Sequence, residues 1–322
     1  MSKILSDVLN RNKWGTSTNL LHNNIFTGIE IELEGLSQRS FNGSSFQREY
    51  QGCFSLWTAV EDGSLQDGIE FICKEPLKGG LLADAISGLH RAINSRREIK
   101  ATQRCGVHIH CDVRNYTASE IMNTLLVYMV FERAIYSYVS PTRYKNTFCR
   151  PLSSSDFRST LTALLESFIN ESDEDKLEHL LRLVDEGRID KYAGLNLRTI
   201  QNYGSFEFRM HEGTTDIINL LHWINILHSI MDMGKNIPVA DLINMYDANP
   251  SLVYQLFSNT KLNAPSKSLE ILKGIRDMKH ILSYRNLDEI SAELSSKTVG
   301  SIPVQLEQVL RHTNRSIVKK SL

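Results

Sequence analysis

The sequence has no excess of either charge: 36 Lys and Arg stand against 37 Asp and Glu over 322 residues. That balance excludes a surface built as a whole to hold nucleic acid and leaves only a local basic patch as a route to such a partner. Cysteine is scarce. The five present (Cys53, Cys73, Cys105, Cys111 and Cys149) are odd in number and form no CxxC pair. A disulfide framework or zinc knuckle is therefore poorly supported, and a reducing cytoplasm is the expected compartment. No apolar run reaches membrane-spanning length and the first residues carry no signal-peptide core, so no membrane partner is expected. Also missing are GxxxxGK[ST], GxGxxG after a strand, GxSxG and HExxH. An ATP user built on this chain would hold phosphates through metal ions and arginines instead of a P-loop.

What is present is alternation. Residues 28–34 (GIEIELE), 68–73 (GIEFIC), 106–112 (GVHIHCD) and 205–211 (SFEFRMH) each place apolar side chains on one face and ionisable ones on the other. This is the period of a half-buried strand. Ile29, Ile31 and Leu33 oppose Glu30, Glu32 and Glu34, and Phe71 opposes Glu70. Val107 and Ile109 oppose His108 and His110, while Phe206 and Phe208 oppose Glu207 and Arg209. If the four strands share a sheet, their polar sides form a floor of carboxylates and imidazoles that cannot all stay ionised without cations between them. Alternate residues on a strand lie about 6.5 Å apart, so Glu30 and Glu32 can converge on one ion or flank two. A carboxylate-rich set with an imidazole suits Mg²⁺ or Mn²⁺ better than zinc. The plainer alternatives are a solvated sheet face for the Glu pair, a hairpin turn for Asp62-Gly63, and a simple ion pair for Arg209 with Glu207.

Around these strands, residues 1–24 are polar and mixed, with a short helix expected, and 37–54 read as a Ser-, Gly- and Asn-rich loop. A short strand at 57–60 precedes the Asp-Gly turn. Helices are expected at 81–95, 118–139 (opened by the Thr117–Glu120 capping box), 157–169, 174–186 (stopped by Gly187), 215–233 (capped by Thr214 or Thr215), 269–281 and 287–294. An extended segment is expected at 192–197. No internal repeat is visible. The composition, 41% hydrophobic and 23% charged, fits a globular chain with ample core. The expected organisation is a lead-in over 1–25, a catalytic domain over 26–235 and a helical extension over 236–322. The rim loops 37–54 and 143–150 are expected to border the pocket, because loops commonly supply specificity.

In order, GIEIE, Trp57, EDGSL, GIEF, EPLKG, CGVHIH, SPTRYKNTFC, YAGLNL and FEFRMHEGT resemble the amidoligase family, a branch of the glutamine synthetase-like carboxylate–amine/ammonia ligases, over about residues 26–232. The resemblance implies an α+β fold with a curved, mostly antiparallel sheet and helices on one face. It also implies ATP and two divalent ions, Mg²⁺ or Mn²⁺. Glu32, Glu70 and Asp62 would bind one ion near the acid substrate. Glu30, His108 and Glu207 would bind the other near the nucleotide phosphates. By the same resemblance His110 would contact phosphate and Arg209 would stabilise the transferred phosphoryl group. Arg198 and Arg143 are candidates for phosphate or the substrate carboxylate. Glu34, on the correct face, is a candidate for the base that deprotonates the incoming ammonium. The implied partners are a small-molecule or peptide carboxylate and an amine or ammonia. Two other readings stand beside this one: an ATP-dependent phosphotransferase on a related fold, and a non-catalytic binding or structural relative.

Overall fold

A computed structural model of the protein describes residues 25–154, 157, 173–186, 190–249 and 268–281. The expected helices at 157–169 and 287–294, the expected lead-in helix within 1–24 and the Gly187 stop lie largely or wholly outside them, whereas the helix expected at 174–186 forms as α6 (Asp173–Asp185).

The alternating segments do become strands of one sheet. β1 (Thr27–Glu34), β2 (Trp57–Glu61), β3 (Gly68–Cys73), β4 (Gly106–Asp112), β5 (Leu195–Asn196) and β6 (Ser205–Glu212) run in the order β2-β3-β1-β4-β6-β5. Every pairing between them is antiparallel. The two central strands, β1 and β4, therefore carry the Glu30-x-Glu32 and His108-x-His110 pairs side by side. The fold is α+β, with an open six-stranded antiparallel sheet.

The apolar side of the sheet is covered by helices. Ile29, Ile31, Leu33, Ile69, Phe71, Val107, Ile109, Phe206 and Phe208 join one core with α4 (Gly79–Asn94), α5 (Ala118–Tyr136) and α8 (Ile217–Asn236). The capping box on α5 forms as expected: Glu120 N–H donates to Thr117 Oγ1 (3.2 Å) and Thr117 N–H to Glu120 Oε2 (2.7 Å). The cap of α8 differs from expectation. Asp216, not Thr214 or Thr215, accepts from the N–H groups of Ile218 and Asn219. A carboxylate both caps and complements the positive helix end, which a hydroxyl cannot do.

The segment at 37–54 is not a loop. It folds into three short helices, α1 (Gln38–Phe41), α2 (Ser45–Glu49) and α3 (Gln51–Phe54), the first two capped by Ser37 and Ser44. Phe41, Phe46 and Phe54 are buried, and the rings of Phe41 and Phe54 lie 5.5 and 5.7 Å from that of Phe71. Because Phe71 points to the apolar side of β3, this segment covers the core instead of bordering the polar face. The serines that suggest a loop in composition are helix caps in space.

Beyond residue 236, α9 (Val239–Ala248) and α10 (Ser268–Ile281) contribute Leu242, Ile243, Ile271 and Ile275 to the same core. α10 packs on α5, with Gly274 against the Val130 carbonyl and Arg133 paired to Asp277. A comparable close approach joins α8 to α5, where a Cβ on Gly234 would stand 2.4 Å from Thr124 Cα. Gly234→Ala gains helix propensity, but the clash is with backbone that cannot rotate away. We expect a net loss of about 1–3 kcal/mol in urea unfolding; unchanged stability would contradict this packing.

Candidate functional site

The register determines which ionisable groups meet. Across β3 and β1, Glu70 is directly opposite Glu32; across β1 and β4, Glu30 is opposite His108; across β4 and β6, His110 is opposite Glu207. Like charges directly opposite on one face repel, so the Glu32–Glu70 pair is a place that favours a cation. Glu32, His108 and Glu207 are buried, and Glu30, Asp62, Glu70 and His110 are half-buried.

His108 is at the centre. Its Nδ1 lies 3.0 Å from Glu30 Oε2, 3.7 Å from Glu207 Oε1 and 3.9 Å from Glu70 Oε1, and its Nε2 lies 3.7 Å from Glu32 Oε1. His110 Nε2 is 3.2 Å from Glu30 Oε1, and its Nδ1 is 3.2 Å from Ser205 Oγ. Among the described residues, three overlapping triads have ligand atoms all within 4.8 Å: Glu32, Asp62 and Glu70; Glu30, Glu70 and His108; Glu30, His110 and Glu207. The first is the set that the resemblance assigns to one ion. In the other two, Glu30 is shared and His110 stands beside Glu207 as a possible ligand.

Burial raises the cost of every charge here, and the neighbours decide the outcome. For Glu30, burial pushes upward, but hydrogen bonds and charge from His108 and His110 bring it well below the usual carboxylate range. Glu32 is raised by burial, which outweighs His108 and the Gly106 N–H. Glu70 is pushed up to about 8 by burial and by the charges of Glu30, Glu32 and Asp62. Burial opposes the charging of His110, but Glu30 and Glu207 raise it.

The sign of the resulting pH dependence is definite. In the absence of a cation, Glu70 keeps a proton that the unfolded chain sheds near 4.5. Its contribution to stability is complete below that value and is lost as pH rises through about 8. The raised His110 acts in the same direction over the upper part of this window. A divalent cation must displace the Glu70 proton, so its affinity should rise about tenfold per pH unit below that midpoint. If the floor holds Mg²⁺, the thermal shift on adding that ion should therefore grow from pH 6 to pH 8; a flat response would contradict a site built on Glu70.

The remaining predicted residues divide. Arg209 lies on the floor, its Nη1 paired with Glu207 Oε1 and its Nε donating to the Phe148 carbonyl at 3.3 Å. Segment 143–150 thus does border the site. Arg143 is buried beside Gly106 and donates to the carbonyls of Arg209 and Met210. Arg198 is exposed at the start of α7 (Thr199–Tyr203). Glu34 stands apart from the three triads. Its Oε1 accepts from Gln66 N–H (2.7 Å) and Arg104 Nε (2.9 Å), and the Gln66 bond with Arg104 holds its carboxyl below the usual range despite burial. That engagement ties the end of β1 to the turn carrying Asp62, and it leaves Glu34 poorly suited to accept a proton.

Two contributors are not apparent from the sequence. Asn196 Nδ2 donates to Glu207 Oε2 at 2.5 Å, and the Gly106 N–H donates to Glu32 Oε2 at 2.6 Å. For Asn196 the alternation with Leu195 and Leu197 in the YAGLNL motif marks a polar face but not its partner; a backbone donor carries no signal at all. Beside Glu30 and His110 opens a cavity of about 270 Å³. Phe26, Ile72, Pro76 and Tyr203 supply apolar walls, and Asp112, Arg114 and Ser205 supply polar groups. No described helix is long and apolar enough to cross a membrane.

The fold and the site together define an α+β protein with a partly buried carboxylate–imidazole cluster on one face of an antiparallel sheet. Residues 70–231, half of the chain, match the family described as "putative amidoligase enzyme", and the chain belongs to that family. No curated protein matches the chain.

Proposed function

We propose that this chain is an ATP-dependent carboxylate–amine, or carboxylate–ammonia, ligase that forms its amide through an acyl phosphate, with two divalent ions on the sheet floor and a glutamine synthetase-like fold. Family membership supports an amide-bond ligase. The observation that carries the finer reading is the convergence of Glu30, Glu32, Asp62, Glu70, His108, His110 and Glu207 into overlapping triads. Oxygen-rich, partly buried and mutually repelling, this donor set fits Mg²⁺ or Mn²⁺. Glu32, Asp62 and Glu70 would hold one ion, and Glu30 with Glu207 and the histidines the other. When bound, such ions neutralise phosphate charge and polarise the phosphoryl oxygens.

The chain's own groups do the rest. The cavity beside Glu30 and His110 has apolar walls that suit a nucleotide base, whose phosphates would then face the floor. A substrate carboxylate oxygen attacks the γ-phosphorus and ADP leaves. The amine nitrogen then attacks the acyl carbon, phosphate leaves, and the nitrogen gives its proton to a nearby carboxylate. Arg209 is placed to hold the transferred phosphoryl oxygens by its planar fork.

The test is a screen of amino acids, dicarboxylates and small peptides with ATP, Mg²⁺ and hydroxylamine. Hydroxylamine diverts an acyl phosphate to a hydroxamate, so ADP and hydroxamate should appear together. ADP release with a stable phosphorylated product and no hydroxamate would instead indicate a phosphotransferase. No ADP with any acid would favour a non-catalytic relative.

A further inference from the structure

The pairing of β4 with β6 contains an irregularity that sequence alternation does not reveal. Val107 pairs with His211 and Ile109 with Phe208, so His108 alone faces two residues, Arg209 and Met210. This is a β-bulge, which disrupts the ladder locally, bends the strand and re-aims side chains. Its effect on phase is visible. Met210 and His211 are both fully buried, with the His211 ring against Trp223 of α8, whereas Glu207 and Arg209 face the floor.

The two carbonyls of the extra pair accept from one side chain. Arg143 Nε donates to Met210 O at 3.1 Å, and Nη2 donates to Arg209 O at 2.7 Å. Arg143 is buried, and it is itself tethered to the chain that follows, its carbonyl accepting from Cys149 Sγ. The guanidinium fits because residue 106 is glycine. A Cβ there would lie 3.3 Å from Arg143 Nη2, 3.2 Å from His108 Nε2 and 3.4 Å from Glu32 Oε2. Three groups from three segments thus share the space above one missing side chain.

We propose that Arg143 is a positioning residue, the plug of the β4–β6 bulge, which uses the gap at Gly106 to lock His108 against Glu207 and Arg209. Its guanidinium forks onto backbone, so it acts on the floor through β6 and His108 and is not itself a ligand for phosphate or substrate. A lysine cannot take its place, because one ammonium lacks the planar fork that spans two carbonyls. The inference deepens the ligase reading, since it concerns the same floor, but the bulge and its plug can be tested without metal or substrate.

The experiment compares the full chain with Arg143→Gln, Arg143→Lys, Arg143→Ala and Gly106→Ala. In metal-free spectra of isotope-labelled protein, Arg143→Gln should move the His108 ring resonances and the amides of Arg209 and Met210. The ring of His228, buried against Thr27, should stay in place. Mn²⁺ affinity should fall by on the order of 10- to 100-fold, the usual scale for a partner one step removed from a metal. Arg143→Lys should not restore it. Guanidinium ion, added to Arg143→Ala far below denaturing concentrations, should. If Arg143→Gln does not fold, Gly106→Ala gives a second reading at the amides of Arg209 and Met210 alone, because the added Cβ crowds the guanidinium at 3.3 Å but also crowds the His108 ring directly at 3.2 Å. Unmoved His108 and bulge resonances in a folded variant would overturn the proposal, as would full recovery with lysine. A parent protein that binds no Mn²⁺ would defeat the metal reading alone, while the metal-free spectra would still decide the role of Arg143.

Discussion

Glu30→Gln should lose both the stabilisation by Mg²⁺ or Mn²⁺ and about 10³-fold in ATP turnover, the upper end of what one well-placed electrostatic group supplies. Glu30 belongs to two of the three ligand triads and contacts both histidines, with Oε2 3.0 Å from His108 and Oε1 3.2 Å from His110. Glu207 also lies near both imidazoles but at longer range, 3.7 Å from His108, and belongs to one triad. Glutamine keeps the size and removes the charge, so the fold should persist while both functions fail. Stabilisation by a ligand that binds only the folded state follows mass action. Thermal unfolding with and without the cation, read beside ADP release, therefore separates loss of the site from loss of the protein. A variant that still responds to metal as the parent does would place the ions elsewhere.

Arg209→Lys should give the opposite pattern: metal-dependent stabilisation survives and turnover falls by on the order of 10²-fold. Arg209 is half-buried on the floor and paired with Glu207, and its Nε is held by the Phe148 carbonyl. Lysine keeps the charge that balances Glu207 but loses the planar fork that can span two phosphoryl oxygens. In a loose phosphoryl-transfer transition state, negative charge stays on those oxygens. Near-normal turnover in Arg209→Lys would reduce the residue to a structural partner of Glu207. Loss of metal binding as well would make it an organiser of the floor.

The polar floor was legible in the sequence because strand alternation has a period of two, and a two-residue period places side chains on faces without knowledge of the partners. Glu30, Glu32, Glu70, His108, His110 and Glu207 all lie where that rule puts them. Residues whose position depends on pairing were not legible. His211 continues the alternation of β6 in sequence, yet the bulge opposite His108 turns it to the helix side. Glu34 lies on the predicted face, but its long-range partners Arg104 and Gln66 could not be read locally. Arg143 looked like a loop arginine free to meet an anion and is buried on backbone carbonyls. By composition the serines at 37 and 44 suggest a loop, although each stands as an N-cap before a short helix anchored by aromatic rings.

The most direct measurement is an equilibrium titration of the full chain with Mn²⁺ near pH 8, following the paramagnetic resonance signal of the free ion, for the parent and for Glu30→Gln. The parent should bind two ions per chain, and the variant should lose at least one of them. A parent that leaves all the Mn²⁺ free, or a variant that binds as many ions as tightly, would contradict the assignment of the carboxylate–imidazole floor as a metal centre.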